Sequence, residues 1–299
     1  MKYVKVLGID IGGTSIKGIV IDDNGNILQT AKVDTEATLG REHIIENLKN
    51  IIEELLITDP DIKGIGIGTA GRVNTNTGEV VYATENLKDW QGLNLRKRME
   101  HQFNLPVMVD NDANVALIGE HWIGAGKGLR DITMLTLGTG VGGANMLNGN
   151  IFRGENWSSG EWGHVVLIPN GCECNCGQSG CIEQYLSGNA LVYFAEEATN
   201  RTYSSGIMVM EDYKNKRKEI ISVVEEYVNR LSIVISNIYN GINPQSIIIG
   251  GGVIESKEIW WSLFTSTLMK SGLKIDVRPA LLGNMAGSIG AAKLILEAI

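Results

Sequence analysis

The chain has 299 residues, 43% of them hydrophobic and 20% charged, a balance that supports a sizeable core and excludes a disordered chain. Against 26 basic residues stand 34 acidic ones, and the net charge of -8 excludes a general electrostatic attraction for nucleic acid or an anionic membrane. Glycine is abundant at 37 residues and proline sparse at 5, which predicts many tight turns rather than linkers.

The opening residues carry no cleavable signal pattern, and no later stretch approaches the roughly 18 uninterrupted apolar residues of a spanning helix. The expectation is a soluble, cytoplasmic chain. All 4 cysteines crowd together at Cys172, Cys174, Cys176 and Cys181. A disulfide framework would spread them to close long loops, so the cluster points to a metal site and away from secretion.

In chain order, Val4 to Asp10 is apolar and β-branched, the Gly12-Gly13 pair turns, and Ile16 to Ile21 runs extended. Asp23-Asn24-Gly25-Asn26 reads as a hairpin turn feeding a third strand, Ile27 to Val33. A helix from Glu42 to Leu56 places Ile44, Ile45, Leu48, Ile51, Ile52 and Leu55 on one stripe, and a strand follows at Ile62 to Ile67. Asp131 to Leu137 and Val141 to Leu147 flank a second glycine turn, echoing the first. The strongest helix runs from Lys218 to Tyr239, closed by Gly241 and Pro244, and its stripe is core packing. A buried strand, Ser246 to Ile249, and a last helix, Met285 to Glu297, complete an α/β chain. The echo between the halves predicts two lobes with a cleft between them. The expected lobes are 1–113, completed by the terminal helix 286–299, and 114–285.

Three glycine turns follow buried strands. In Asp10-Ile11-Gly12-Gly13-Thr14 the glycines expose backbone N–H groups to phosphate oxygens, Thr14 adds a hydroxyl, and Asp10 can hold a phosphate-bound Mg²⁺ through water. Gly138-Thr139-Gly140 repeats that chemistry, and Gly250-Gly251-Gly252 clears side chains from backbone where a ring or ribose can lie. A tight turn is the bland reading of each; three together favour a nucleotide cleft. Around Asp110-Asn111-Asp112 a strand meets a helix, so Asp110 or Asn111 caps it and Asp112 stands at the helix start, placed to take a proton from an attacking hydroxyl. Glu161-Trp162-Gly163-His164 precedes the cysteines. One imidazole and three thiolates close a tetrahedral Zn²⁺ site with no open position, leaving Cys172 surplus if His164 ligates; four cysteines are the competing set.

Taken in order along the chain, these motifs resemble the ROK family of sugar kinases and sugar-responsive repressors. Asp10 to Thr14 and Gly138 to Gly143 are similar to its phosphate motifs, and Gly250 to Val253 to its adenosine motif. Glu161-x-Gly163-His164 and Cys174-x-Cys176-Gly177-x-x-Gly180-Cys181-x-Glu183 are similar to its two signatures. The resemblance implies an actin-like ATPase (ribonuclease H-like) fold of two lobes with mixed sheets and a structural zinc loop. It selects His164, Cys174, Cys176 and Cys181 as zinc ligands. It further implies that Asn111, Glu161, His164 and Glu183 bind sugar hydroxyls, with Asp112 as base, and that Gly71, Arg72 and Asn86 lie in sugar-facing loops. Many members have Asn-Leu-Pro-Gly-Trp where this chain has Asn86-Leu87-Lys88-Asp89-Trp90.

Repressors of the family carry a helix-turn-helix domain before the first phosphate motif, whereas only nine residues precede Asp10, all reading as strand. The expectation is a kinase moving the ATP γ-phosphate to a hexose hydroxyl, O6 being the first choice, with ATP, Mg²⁺ and structural Zn²⁺ as cofactors and no nucleic-acid or membrane partner. Glucose is the first substrate. N-acetylmannosamine follows, because Gly71-Arg72-Val73-Asn74 is similar to a segment of kinases for that sugar; N-acetylglucosamine, fructose, allose and β-glucosides are the other acceptors. A catalytically idle sugar sensor is the rival from another class, and a homodimer or homotetramer is the implied assembly.

Overall fold

The computed structural model describes residues 3–84 and 87–299. Two compact units share the chain. The first comprises Met1–Gly128, Arg153–Ser159 and Asn284–Ile299, and the second comprises Leu129–Phe152 and Gly160–Gly283.

In the first unit β1 (Lys5–Ile11), β2 (Ser15–Asp22) and β3 (Ile27–Asp34) form an antiparallel meander. Helix α1 (Arg41–Thr58) leads to β4 (Ile62–Thr69), which pairs parallel with β1. A small hairpin, β5 (Arg72–Asn74) and β6 (Glu79–Tyr82), and α2 (Leu95–Phe103) precede β7 (Val107–Asn111), parallel to β4. The sheet order is β3-β2-β1-β4-β7. Strands β1 and β4 are nearly continuous apolar runs, as strands covered on both faces must be. The α1 stripe is buried as its period requires, each such side chain contributing about 1.5–3 kcal/mol.

The C-terminal helix (Ala286–Leu296) belongs to this unit. Its small residues let backbones touch: a Cβ added at Gly290 would stand 1.6 Å from the carbonyl oxygen of Val115 in α3 (Asp112–Ile123). The α-helical turns begin at Ala286, after a 3₁₀ turn at Gly283–Met285.

The second unit repeats the plan. Strands β8 (Ile132–Leu137), β9 (Val141–Leu147) and β10 (Asn150–Ile151) form an antiparallel meander. Helices α4 (Glu183–Leu186), α5 (Gly188–Thr199), α6 (Gly206–Lys214) and α7 (Lys218–Ile242) follow. Strand β11 (Ser246–Gly250), α8 (Lys257–Met269) and β12 (Val277–Pro279) close the unit. The order β10-β9-β8-β11-β12, with β8, β11 and β12 parallel, matches that of the first sheet. Helix α7 runs through Gly241, the residue expected to close it, and ends on Asn243 at φ 52°. Asparagine tolerates the left-handed conformation and so supplies the C-cap that glycine more often provides. Each unit has its own apolar core. No helix among the described residues is long and apolar enough to cross a membrane.

Candidate functional site

In the first unit the turn after β1 is pinned from behind. The Gly12 amide donates to the Ser15 carbonyl at 3.1 Å, and the Thr35 hydroxyl donates to the Gly12 carbonyl at 2.6 Å. Gly13 and Thr14 remain exposed, with open space around the Gly13 α-carbon. Asp10 packs its carboxylate against Gly287, where an added Cβ would lie 2.6 Å from its Cγ. Burial pushes the Asp10 carboxyl above the usual range, and Lys17 opposes the shift. A desolvated carboxylate beside a glycine turn suits a cation, which restores the charged form.

The β7–α3 junction answers which residue caps. Asn111 is the N-cap: its Oδ1 accepts from the Ala113 and Asn114 amides at 2.9 and 3.2 Å. Its Nδ2 donates to the Gly71 carbonyl at 2.9 Å, so Gly71 and Asn111 are brought together. Asp112 is the first helical residue and is half-buried, and its Oδ1 accepts from the same Ala113 amide at 2.8 Å. Arg72 lies at the start of β5 with its guanidinium 4.8 Å from the centre of the Tyr82 ring.

Asn86 lies outside the described residues. The rest of its loop is anchored by Trp90, fully buried, whose Nε1 donates to Thr69 Oγ1 at 2.9 Å. Asp89 stands at φ 59°, in the left-handed region, at the position where the family pattern has glycine. The loop therefore keeps a glycine-like turn with a residue that tolerates it.

In the second unit the Gly138–Gly140 turn is tied to α4. The Val141 amide donates to Glu183 Oε2 at 2.9 Å, and a Cβ at Gly140 would come within 2.3 Å of that same oxygen. The Gly188 amide donates to the Gly138 carbonyl at 2.7 Å, and Thr139 is exposed. Glu183, expected to meet sugar, thus also shapes the second glycine turn. At the end of β11, Gly251 adopts φ 85° with the Leu137 carbonyl oxygen 2.4 Å from where its Cβ would be. Gly251 and Gly252 are exposed, and Gly250 is buried at the strand end.

His164, Cys174, Cys176 and Cys181 converge: their ligand atoms all lie within 4.8 Å of one another. His164 Nδ1 is 3.7 Å from Cys174 Sγ, and Cys176 Sγ is 3.6 Å from Cys181 Sγ. Cys172 is not in the cluster, and its amide donates to the Tyr185 hydroxyl at 2.7 Å. Burial, then the neighbouring Cys176 and Cys174 sulfurs, pushes the Cys181 thiol up to about 12. Three sulfurs and one imidazole nitrogen converging this closely are a donor set of the kind a Zn²⁺ ion would close. Because Nδ1 faces the cluster, Nε2 is left for another partner. Glu161 is half-buried next to the 3₁₀ turn Trp162–His164, whereas Trp162 donates from Nε1 to Asn145 Oδ1 at 3.2 Å and is a packing residue.

One residue of this region gave no local signal. Arg153 donates to the buried Asp110 Oδ2 through Nε at 2.9 Å and Nη2 at 2.5 Å. Its partner is 43 residues away, so neither position announces the pair.

The model of the ROK family matches residues 6–298. The chain belongs to the ROK family. It shares the mixed α/β, actin-like ATPase fold of the family's sugar kinases. A Streptomyces coelicolor glucokinase is 42% identical over 196 residues, 66% of this chain and 60% of that protein, so the match spans under two thirds of that relative. A Streptomyces griseus ROK glucokinase, solved with glucose and AMPPNP, superposes with a TM-score of 0.84 at 31% identity, covering 97% of this chain and 98% of that one. A Listeria monocytogenes protein proposed to be an N-acetylmannosamine kinase gives a TM-score of 0.89 at 27% identity, covering 99% of both. Xylose repressors also occur among the relatives of this ROK protein.

Proposed function

We propose that this ROK protein is an ATP-dependent hexose kinase that transfers the γ-phosphoryl group to a sugar hydroxyl, with O6 of glucose as the first acceptor. The observation that carries the reading is Asp112 at the first turn of α3, held by the Asn111 cap in a chain that keeps two intact phosphate-type turns.

Asp112 orients the acceptor hydroxyl and takes its proton as the oxygen attacks. Asn111, Glu161, Glu183 and the Nε2 of His164 hold the ring hydroxyls, with Gly71 and Arg72 in the adjoining loop. Backbone amides at Gly12, Gly13 and Thr14, and at Gly138, Thr139 and Gly140, meet the phosphate oxygens. Gly250, Gly251 and Gly252 leave room for the adenosine. Little covalent work falls to the protein, because phosphoryl transfer depends on positioning and on offsetting charge. Asp10 would hold a phosphate-bound Mg²⁺, which would supply charge neutralisation at the phosphates. His164, Cys174, Cys176 and Cys181 would hold Zn²⁺, which would supply a fixed cross-link that orients the imidazole. We further infer a cytoplasmic homodimer or homotetramer.

The test is ADP release from Mg-ATP with glucose, N-acetylmannosamine, N-acetylglucosamine, fructose, allose and cellobiose. Glucose well above the rest supports the reading. A second reading, N-acetylmannosamine as acceptor, is favoured by Arg72, whose guanidinium is braced on Tyr82 and suited to an N-acyl arm. Preference for that sugar would replace glucose. No turnover on the whole panel with zinc-replete protein, together with calorimetric sugar binding, would establish a sensor instead.

A further inference from the structure

Residues Arg153–Ser159 belong to the first unit although the chain on either side of them belongs to the second. Their anchor is the ion pair of Arg153 with Asp110, a carboxylate only 1% exposed. A buried carboxylate is costly unless its oxygens are paired, and both are. Oδ2 takes the Arg153 fork, while Oδ1 accepts from the Asn111 amide at 2.7 Å and from Asn114 Nδ2 at 2.8 Å.

Asp110 therefore clamps the junction at two points, the N-cap residue and a side chain in the first turn of α3. The Ala113 amide, shared by Asn111 Oδ1 and Asp112 Oδ1, passes that clamp on to Asp112. The segment presenting the guanidinium is itself closed: the Ser159 amide donates to the Arg153 carbonyl at 3.0 Å, Gly154 stands at φ 73° and Trp157 at φ 55°. A left-handed tryptophan persists only where its surroundings over-determine it.

We infer that Arg153 is a positioning residue for Asp112, acting through Asp110. The inference rests on the kinase reading for its catalytic consequence and on geometry alone for the positioning. Arg153→Lys keeps the charge and loses the two-bond fork, so it is the main variant. Ile51→Val in α1 serves as a comparator of the same unit, with buffer conditions chosen so that both variants melt equally far below wild type.

At that matched stability, Arg153→Lys is expected to lower kcat about 100-fold while sugar KM rises far less, the penalty typical of a misplaced reacting group. Amide exchange at Ala113 and Asn114 should accelerate about tenfold in Arg153→Lys and not in the comparator. Wild-type exchange at those amides with wild-type kcat would overturn the inference. A wild-type protein that phosphorylates no sugar would overturn the kinase reading alone, since the exchange measurement still decides whether Arg153 holds the junction.

Discussion

At the scale of single residues, the proposed function gives two carboxylates different duties. Asp112 stands at the start of α3, where that reading has it take the proton of the acceptor hydroxyl. Asp112→Asn keeps the shape and removes the basicity. General-base loss typically costs about 10²–10⁴ in rate, so kcat should fall in that range while calorimetric sugar affinity is little changed. Turnover within about tenfold of wild type would show that another group takes the proton. Glu183, by contrast, fills the space next to Gly140, and a methyl group there would stand 2.3 Å from its Oε2. Gly140→Ala should therefore displace Glu183 or the turn, raising KM for both ATP and sugar in steady-state kinetics. A rise confined to ATP would mean that Glu183 does not serve the sugar.

At the scale of elements, the loop that carries the cysteine cluster is built from tight local turns rather than from an apolar core. The Cys174 amide donates to the Gln178 carbonyl at 2.8 Å, the Gly177 amide to the Cys174 carbonyl at 3.0 Å, and Glu183 follows two residues after Cys181. On the proposed reading, removing one ligand should release the loop together with His164 and Glu183. Cys176→Ala is expected to lose zinc, measured by metal analysis, and sugar affinity, measured by calorimetry, together. A metal-free variant with unchanged sugar affinity would separate the loop from the sugar site. The same loop shows what was legible in advance. Its ligands lie close in sequence with metal-like spacing, and the three glycine turns are equally local. The α7 stripe and the strands β1, β2 and β4 were legible because apolar residues recur along them, whereas β3, none of whose residues is buried, was legible from the hairpin turn before it. Helix α2 was not, since only Leu95 and Met99 of its nine residues are buried, and β5, β6 and β12 are too short to show a period. Arg153 was hidden for another reason: its meaning depends on Asp110, which only folding brings near.

At the scale of the whole chain, each unit is a meander of three strands extended by two parallel ones, yet neither is continuous in sequence. The first unit is completed by the helix Ala286–Leu296, so the sheet face that this helix covers stays open until residues beyond the second unit have been made. That helix fits because its small residues bring backbones into contact at Gly290 and Val115, and no rotamer change can relieve a clash between main chains. Gly290→Ala should force the helix outward and cost about 3 kcal/mol or more, at or above the top of the usual range for core overpacking because the clash is with main chain. The loss should be local to one unit. Hydrogen exchange in β1 and β4 should accelerate strongly while β8 and β11 keep their protection, because the latter pack in the other core. Equal acceleration in both sheets would show that the two units unfold as one cooperative body.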